Sequence, residues 1–180
     1  MTDDVSPQPP APPVLAPEEA AAHPFWRFSL SVYGRAGVAE AALALQNRRG
    51  ADVNLLLFLL WRTASGHDVS DALLSRAAAV SRDWQAAVVG PVRRARKAVK
   101  GMGGLYSRLK ETELACEQAE QMALAGLVDD TASEAAAPVE TRRLAAETAL
   151  RAYLSTLPGT PMAGEEEALE ALVRAALAER

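Results

Sequence analysis

An all-helical single domain is what this sequence predicts, and three observations carry the prediction. Alanine, the strongest helix former, supplies 38 of the 180 residues. Aromatic residues make up only 5%, and few β-branched runs compete for a strand. Apolar residues also recur at intervals of three and four along most of the chain, the period of a helix with one buried face. The length suits one domain whose core needs no staples. The expected architecture is a bundle of about six to eight helices behind a disordered N-terminal tail.

Residues 1–22 hold six of the eleven prolines and almost no large apolar side chains. They have too little surface to bury against the entropy of ordering, which predicts the tail. A helical core over 23–128 follows. It opens at Pro24, whose missing N–H costs nothing at a first helical position. Phe25, Trp26, Phe28, Leu30, Val32 and Tyr33 predict a short helix ended by Gly34. A second helix runs from about Gly37 to Arg48, with Val38, Ala41, Ala42 and Leu45 at helical spacing and Gly50 placed for a left-handed cap.

Asp52 is a good N-cap for the next segment, Val53 to Trp61, which is apolar except at Asn54. A helix apolar all round belongs in the middle of a domain. A buried strand is the rival, but the Ser65–Asp68 turn and the lack of β-branched residues after Val53 favour helix. A long helical stretch then runs from Ser70 to Lys100, with Leu73, Ala77, Val80, Trp84, Val88, Val92, Ala95 and Val99 as its stripe. Gly90-Pro91 predicts a kink or break, since proline removes a hydrogen bond and crowds the preceding turn.

Residues 105–127 form a glutamate-rich helix with a thinner stripe of Leu105, Leu109, Cys116 and Ala119. Residues 129–138 are a linker. A C-terminal helical pair over 139–180, broken at Pro158-Gly159, is expected to dock on the core. Its stripes are Leu150, Tyr153, Leu154 and Leu157, then Leu169, Leu172, Val173, Ala176 and Leu177. Glu165, Glu166 and Glu167 suit the first turn of the last helix.

Composition excludes several classes. The single cysteine, Cys116, rules out a disulfide framework or a cysteine-rich zinc site and suits a reducing compartment. The first residues lack the layout of a secretory signal, so a cytoplasmic location is expected. The longest apolar run, Val53 to Trp61, falls far short of the roughly 20 residues a spanning helix needs. Net charge is −4, against bulk attraction to nucleic acid. The charge is uneven, however: −2 over residues 1–80, +7 over 81–110 and −9 over 111–180. That pattern asks what the basic segment pairs with.

Several residues together form a pattern. They are Phe25-Trp26, Phe28-Ser29-Leu30, Tyr33, Gly37-Val38, Leu45-Gln46, and above all Gly50-Ala51-Asp52-Val53-Asn54-Leu55-Leu56-Leu57-Phe58 with Trp61. Trp84, Val88, Pro91, Arg93, Arg94 and Lys100 follow in order. The segment Phe25–Lys100 resembles a family of small proteobacterial proteins of unknown function that carries this signature. The resemblance implies a soluble helical protein and no activity, substrate or cofactor. The tail and the region beyond about residue 130 depart from that pattern, as lineage-specific additions would.

Two groups of candidate site residues stand out. Arg93, Arg96, Lys97 and Lys100 share one helix face, with Arg94, Arg108 and Lys110 nearby. Such a stripe can bind nucleic acid or an anionic membrane surface. The plainer reading is a solvated face, or a partner for the acidic C-terminal half; stacking aromatics are scarce beside the stripe. Asp52 and Asn54, with Trp26 and Trp61, could line a small-molecule pocket at the start of the buried helix. The plainer readings there are a cap for Asp52 and core anchors for the tryptophans, Trp84 included. Glu113, Glu117 and Glu120 share a face but lack the histidine of a di-iron bundle, so a solvated face is expected.

The chain has only His23 and His67, with no GxSxG elbow and no phosphate loop, so no catalytic residue, cofactor or metal is assigned. The leading expectation is a non-enzymatic helical module for an unknown protein partner. The alternatives are a binder of nucleic acid or anionic membrane through residues 93–100, and a small-molecule binder or enzyme with a pocket near Asp52 and Asn54.

Overall fold

The computed structural model describes residues 16–128 and 137–178. Residues 1–15 of the expected tail and 129–136 of the expected linker lie outside the described residues. The fold is an all-α bundle, with no strand among the described residues. Helices α1 (Pro17–Ala22), α2 (Pro24–Tyr33), α3 (Val38–Arg49) and α4 (Val53–Ala64) come first. They are followed by α5 (Asp71–Trp84), a π-turn (Gln85–Val89), α6 (Gly90–Ala98), α7 (Gly104–Ala125), α8 (Val139–Ser155) and α9 (Glu165–Leu177).

Within the tail expected over 1–22, the last six residues form helix α1. Pro17 starts it, and Glu18 and Glu19 occupy the first turn, where their charge suits the helix dipole. It adjoins α2 and buries none of its residues from Glu18 to Ala22 fully.

Helix α4 is the axis of the bundle. Every residue from Asn54 to Thr63 is buried, and α2, α3, α5, α7, α8 and α9 all pack against it. Asp52 Oδ1 accepts the Leu55 N–H at 2.8 Å to start it. Phe25 stacks on Trp61 with ring centroids 5.0 Å apart and meets Phe58 edge-on at 5.8 Å, so α2 is anchored on α4 by aromatic contact. Gly50 adopts the left-handed conformation, φ 71°, that closes α3 and turns the chain into the α4 cap.

Helices α8 and α9 form a hairpin against α4 and α3. The Arg49 guanidinium, buried at the end of α3, ties it down. It donates to the carbonyls of Leu154 at 2.8 Å and Pro158 at 2.9 Å, and its Nε meets Glu165 at 2.8 Å.

The chain stays helical through Gly90-Pro91. In place of a break, the turn before the proline widens to a π-turn, and the Gly90 N–H bonds the Gln85 carbonyl five residues back. A wider turn relieves the clash of the proline ring with the carbonyl four residues before it. Gly90 is required here for a local reason: a Cβ would stand 2.3 Å from the Gln85 oxygen. Glycine to alanine inside a helix ordinarily stabilises by about 1 kcal/mol. Gly90→Ala is expected to destabilise by about 2 kcal/mol, the size of an overpacking strain. Urea unfolding measures this, and a stabilised variant would rule out the π-turn.

Candidate binding site

Helices α6 and α7 run back along each other as a hairpin, which places the basic stripe against the glutamates of α7. Arg93 donates through Nε to Glu113 at 2.8 Å and through Nη2 to Glu117 at 2.7 Å. Arg96 pairs with Glu113 and lies over the Tyr106 ring at 5.8 Å. The basic segment is therefore matched by the first helix of the acidic one. Lys97 and Lys100 are exposed.

These pairings set the local electrostatics. Burial resists the charge of Glu113, but the guanidiniums of Arg96 and Arg93 hold its carboxyl below the ordinary range. For Glu117 burial wins over the pull of Arg93, and its pKa is raised. The Arg96 guanidinium is raised by its bonds to Glu113.

Deeper in, Asn54 organises a buried polar cluster. Its Nδ2 donates to Glu120 Oε2 at 2.7 Å, and its Oδ1 accepts from Gln121 Nε2 at 2.9 Å. Gln85, in the π-turn, donates to the same Glu120 oxygen at 3.0 Å. Asp52 Oδ2 and Glu120 Oε1 are buried without a hydrogen-bond partner. Burial and the nearby Asp52 charge push Glu120 up to about 9. Burial pushes Asp52 up to about 6, although the Leu55 N–H draws it down. Tyr153 of α8 accepts the Asp52 N–H at 2.8 Å, and burial raises its phenol.

The expected solvated glutamate face is thus corrected. Glu113 and Glu120 are buried and only 7% and 0% exposed, because α7 turns this side toward α4 and α6. Of the stripe expected on α7, Cys116 and Ala119 are partly buried against the core and Leu109 is half-buried, whereas Leu105 is exposed; the fully buried run is Glu120–Ala125. The signal was present in the sequence, since Glu113, Glu117, Glu120 and Leu124 recur at helical spacing. An acidic side chain on a core stripe looks the same in sequence as one on a wet face. Among the described residues no cluster of His, Cys, Asp and Glu is placed to hold a metal ion.

Between α2, α3, α4, α6 and α7 lies an open cleft of about 840 Å³. Its apolar wall includes Trp26, Leu30, Leu43, Leu57 and Leu114. Asn54, Gln121 and Ser29 form polar ground within it, and Arg93, Arg96, Lys97, Lys110 and Glu117 border it. The cleft therefore brings together Trp26, Asn54, Arg93, Arg96 and Lys97 from the two candidate groups. Asp52 is buried beside it, as cap and as neighbour of Glu120. Trp61 lies on the other side of α2, lining a separate cavity of about 470 Å³ with Arg27, Arg35 and Arg142. Lys100 lines neither cavity. Ser29 and Gln121 had no sequence signal of their own: a serine and a glutamine on helices are ordinary until their neighbours are known.

Ser29 and Gln121 are 3% and 2% exposed. Ser29 Oγ and Gln121 Oε1 have no hydrogen-bond partner, not even the carbonyl a turn earlier that a helical serine often takes. Around the opening, Leu30, Leu43 and Leu114 are 55%, 43% and 51% exposed.

No curated protein and no solved structure matches the chain. A family model described as "Protein of unknown function (DUF2390)" matches residues 24–124, a segment that contains every residue lining the cleft and excludes α8 and α9. The chain belongs to the DUF2390 family.

Proposed function

We propose that this protein is a non-enzymatic binding module and that the cleft between α2, α3, α4, α6 and α7 takes a small molecule. The observation that carries this reading is the pair of buried, unpartnered polar atoms, Ser29 Oγ and Gln121 Oε1, in the wall of the cleft. A buried polar atom without a partner costs roughly 1–3 kcal/mol, a cost that a bound ligand's donor would remove. The cleft volume also lies in the usual range for ligand sites, about 300–1,000 Å³, with apolar walls and few polar groups.

Leu114 is half-exposed at the rim, so replacing it should leave the fold intact. Leu114→Asp is expected to cut the fluorescence of bound anilinonaphthalene sulfonate at least fivefold with an unchanged melting temperature. Equal dye binding by both proteins would move the site elsewhere. Turnover of any metabolite that depends on Asn54 would overturn the non-enzymatic reading.

The protein-partner reading is favoured by a different observation. Exposed Leu30, Leu43 and Leu114 surround one opening, as in grooves that receive an amphipathic helix. It expects a partner captured from bacterial cytoplasm and lost with Leu30→Asp. The nucleic-acid or membrane reading is weakened, because Arg93 and Arg96 spend their charge on Glu113 and Glu117. Among the described residues no helix is long and apolar enough to cross a membrane.

A further inference from the structure

The polar and charged groups of the cleft are ordered along its length. On α7 the lining residues Lys110, Leu114, Glu117 and Gln121 follow one another at intervals of three and four, a single strip down one helix face. At 1.5 Å per residue, Lys110 and Gln121 stand about 16 Å apart along the axis. The α6–α7 hairpin brings α6 alongside in the opposite sense. Arg93 reaches Glu117 and Glu113, Arg96 reaches Glu113 and Tyr106, and so Lys97 falls at the Lys110 end.

The two ends differ in what they lack. At the Gln121 end the amide is committed on one side only: Nε2 donates to Asn54, while Oε1 has no donor. Ser29 Oγ likewise lacks a partner. This end calls for a neutral N–H or O–H. At the other end Lys97 and Lys110 make no ion pair with a described residue, and Glu111 is the one unpaired acid lining the cleft beside them. That end carries a surplus of one positive charge. Trp26, Leu30, Leu57 and Leu114 supply apolar surface in the same cleft.

We infer that the cleft binds an extended anionic amphiphile: an apolar chain with a hydroxyl or amide donor at one end, held by Gln121 and Ser29, and a single carboxylate or similar anion at the other, held by Lys97 and Lys110. The inference rests on the cleft being the binding surface and adds the chemistry and direction of the ligand. A highly charged ligand fits poorly, because Glu111, Glu113 and Glu117 border the same cleft.

The test uses the full chain and three probes below their micelle concentrations: ω-hydroxydecanoate, decanoate and decanol, each titrated calorimetrically at low and at moderate salt. The expected order of affinity is ω-hydroxydecanoate, then decanoate, then decanol, with about tenfold between the first and the last. The double variant Lys97→Gln/Lys110→Gln should bring the acids down to the level of decanol, and added salt should do the same in part. Ser29→Ala should narrow the advantage of ω-hydroxydecanoate over decanoate without abolishing it, because Gln121 Oε1 remains as the other acceptor.

Equal binding of all three probes, lost with Leu114→Asp, would overturn the ligand chemistry and leave the cleft as the binding surface. Binding insensitive to Leu114→Asp, or no binding of any probe together with dye fluorescence that Leu114→Asp leaves unchanged, would overturn both.

Discussion

Glu120→Gln is expected to stabilise the protein at pH 8 by about 2 kcal/mol and to flatten its pH dependence. Glu120 is fully buried, and its pKa stands at about 9 against an ordinary 4.5, first through burial and then through the Asp52 charge. Between those two values the folded state holds a proton that the unfolded state has released. Stability must then fall as pH rises across that window, by up to about 1.4 kcal/mol per pH unit at the steepest. Asp52, raised from 3.8 to about 6, adds to the fall at the acidic end. Glu113 acts the other way, since its lowered pKa contributes stability that is lost on acidification below its unfolded value. A maximum in mildly acid solution follows.

The glutamine keeps an oxygen for Asn54 and Gln85 to donate to, and it places an amide where Glu120 Oε1 has no partner. Urea unfolding from pH 5 to pH 9 reads the effect. A wild type whose stability is level over that range would mean that Glu120 is ionised and compensated, and a glutamine variant less stable at pH 8 would say the same.

Arg49→Met should cost about 3–4 kcal/mol, the loss seen when one member of a buried ion pair is removed. For a chain of this size that lowers the melting temperature by about 10 °C. The Arg49 side chain is 4% exposed, and that of Glu165 opposite it 12%. Removing it strands that carboxylate and the carbonyls of Leu154 and Pro158 at once. Adding Glu165→Gln should recover part of the loss, because the stranded charge is then gone. A loss below about 1 kcal/mol would show that the pair is solvated in the way of a surface salt bridge. Arg49 lies inside the family-matched segment and Glu165 outside it, so the contact measures how far the α8–α9 hairpin is coupled to the rest.

Local chemistry was enough to determine the helical class, the caps at Asp52 and Gly50, and the burial of α4. Each depends on residues within a turn or two of one another, where propensity, capping and a 3.6-residue period act directly. The two groups of candidate residues were also readable, as a basic stripe and as polar groups beside an apolar helix. That Trp26 and Asn54 share a cleft with Arg93, Arg96 and Lys97, while Trp61 does not, was decided only by the packing of α2, α3, α4, α6 and α7. The tertiary structure likewise turned Glu113 and Glu120 inward and gave the first to arginines and the second to Asn54 and Gln85. A glutamate on a helix has the same pattern whether it meets water or a guanidinium. The difference lies in desolvation and pairing, which belong to contacts between helices distant in the chain.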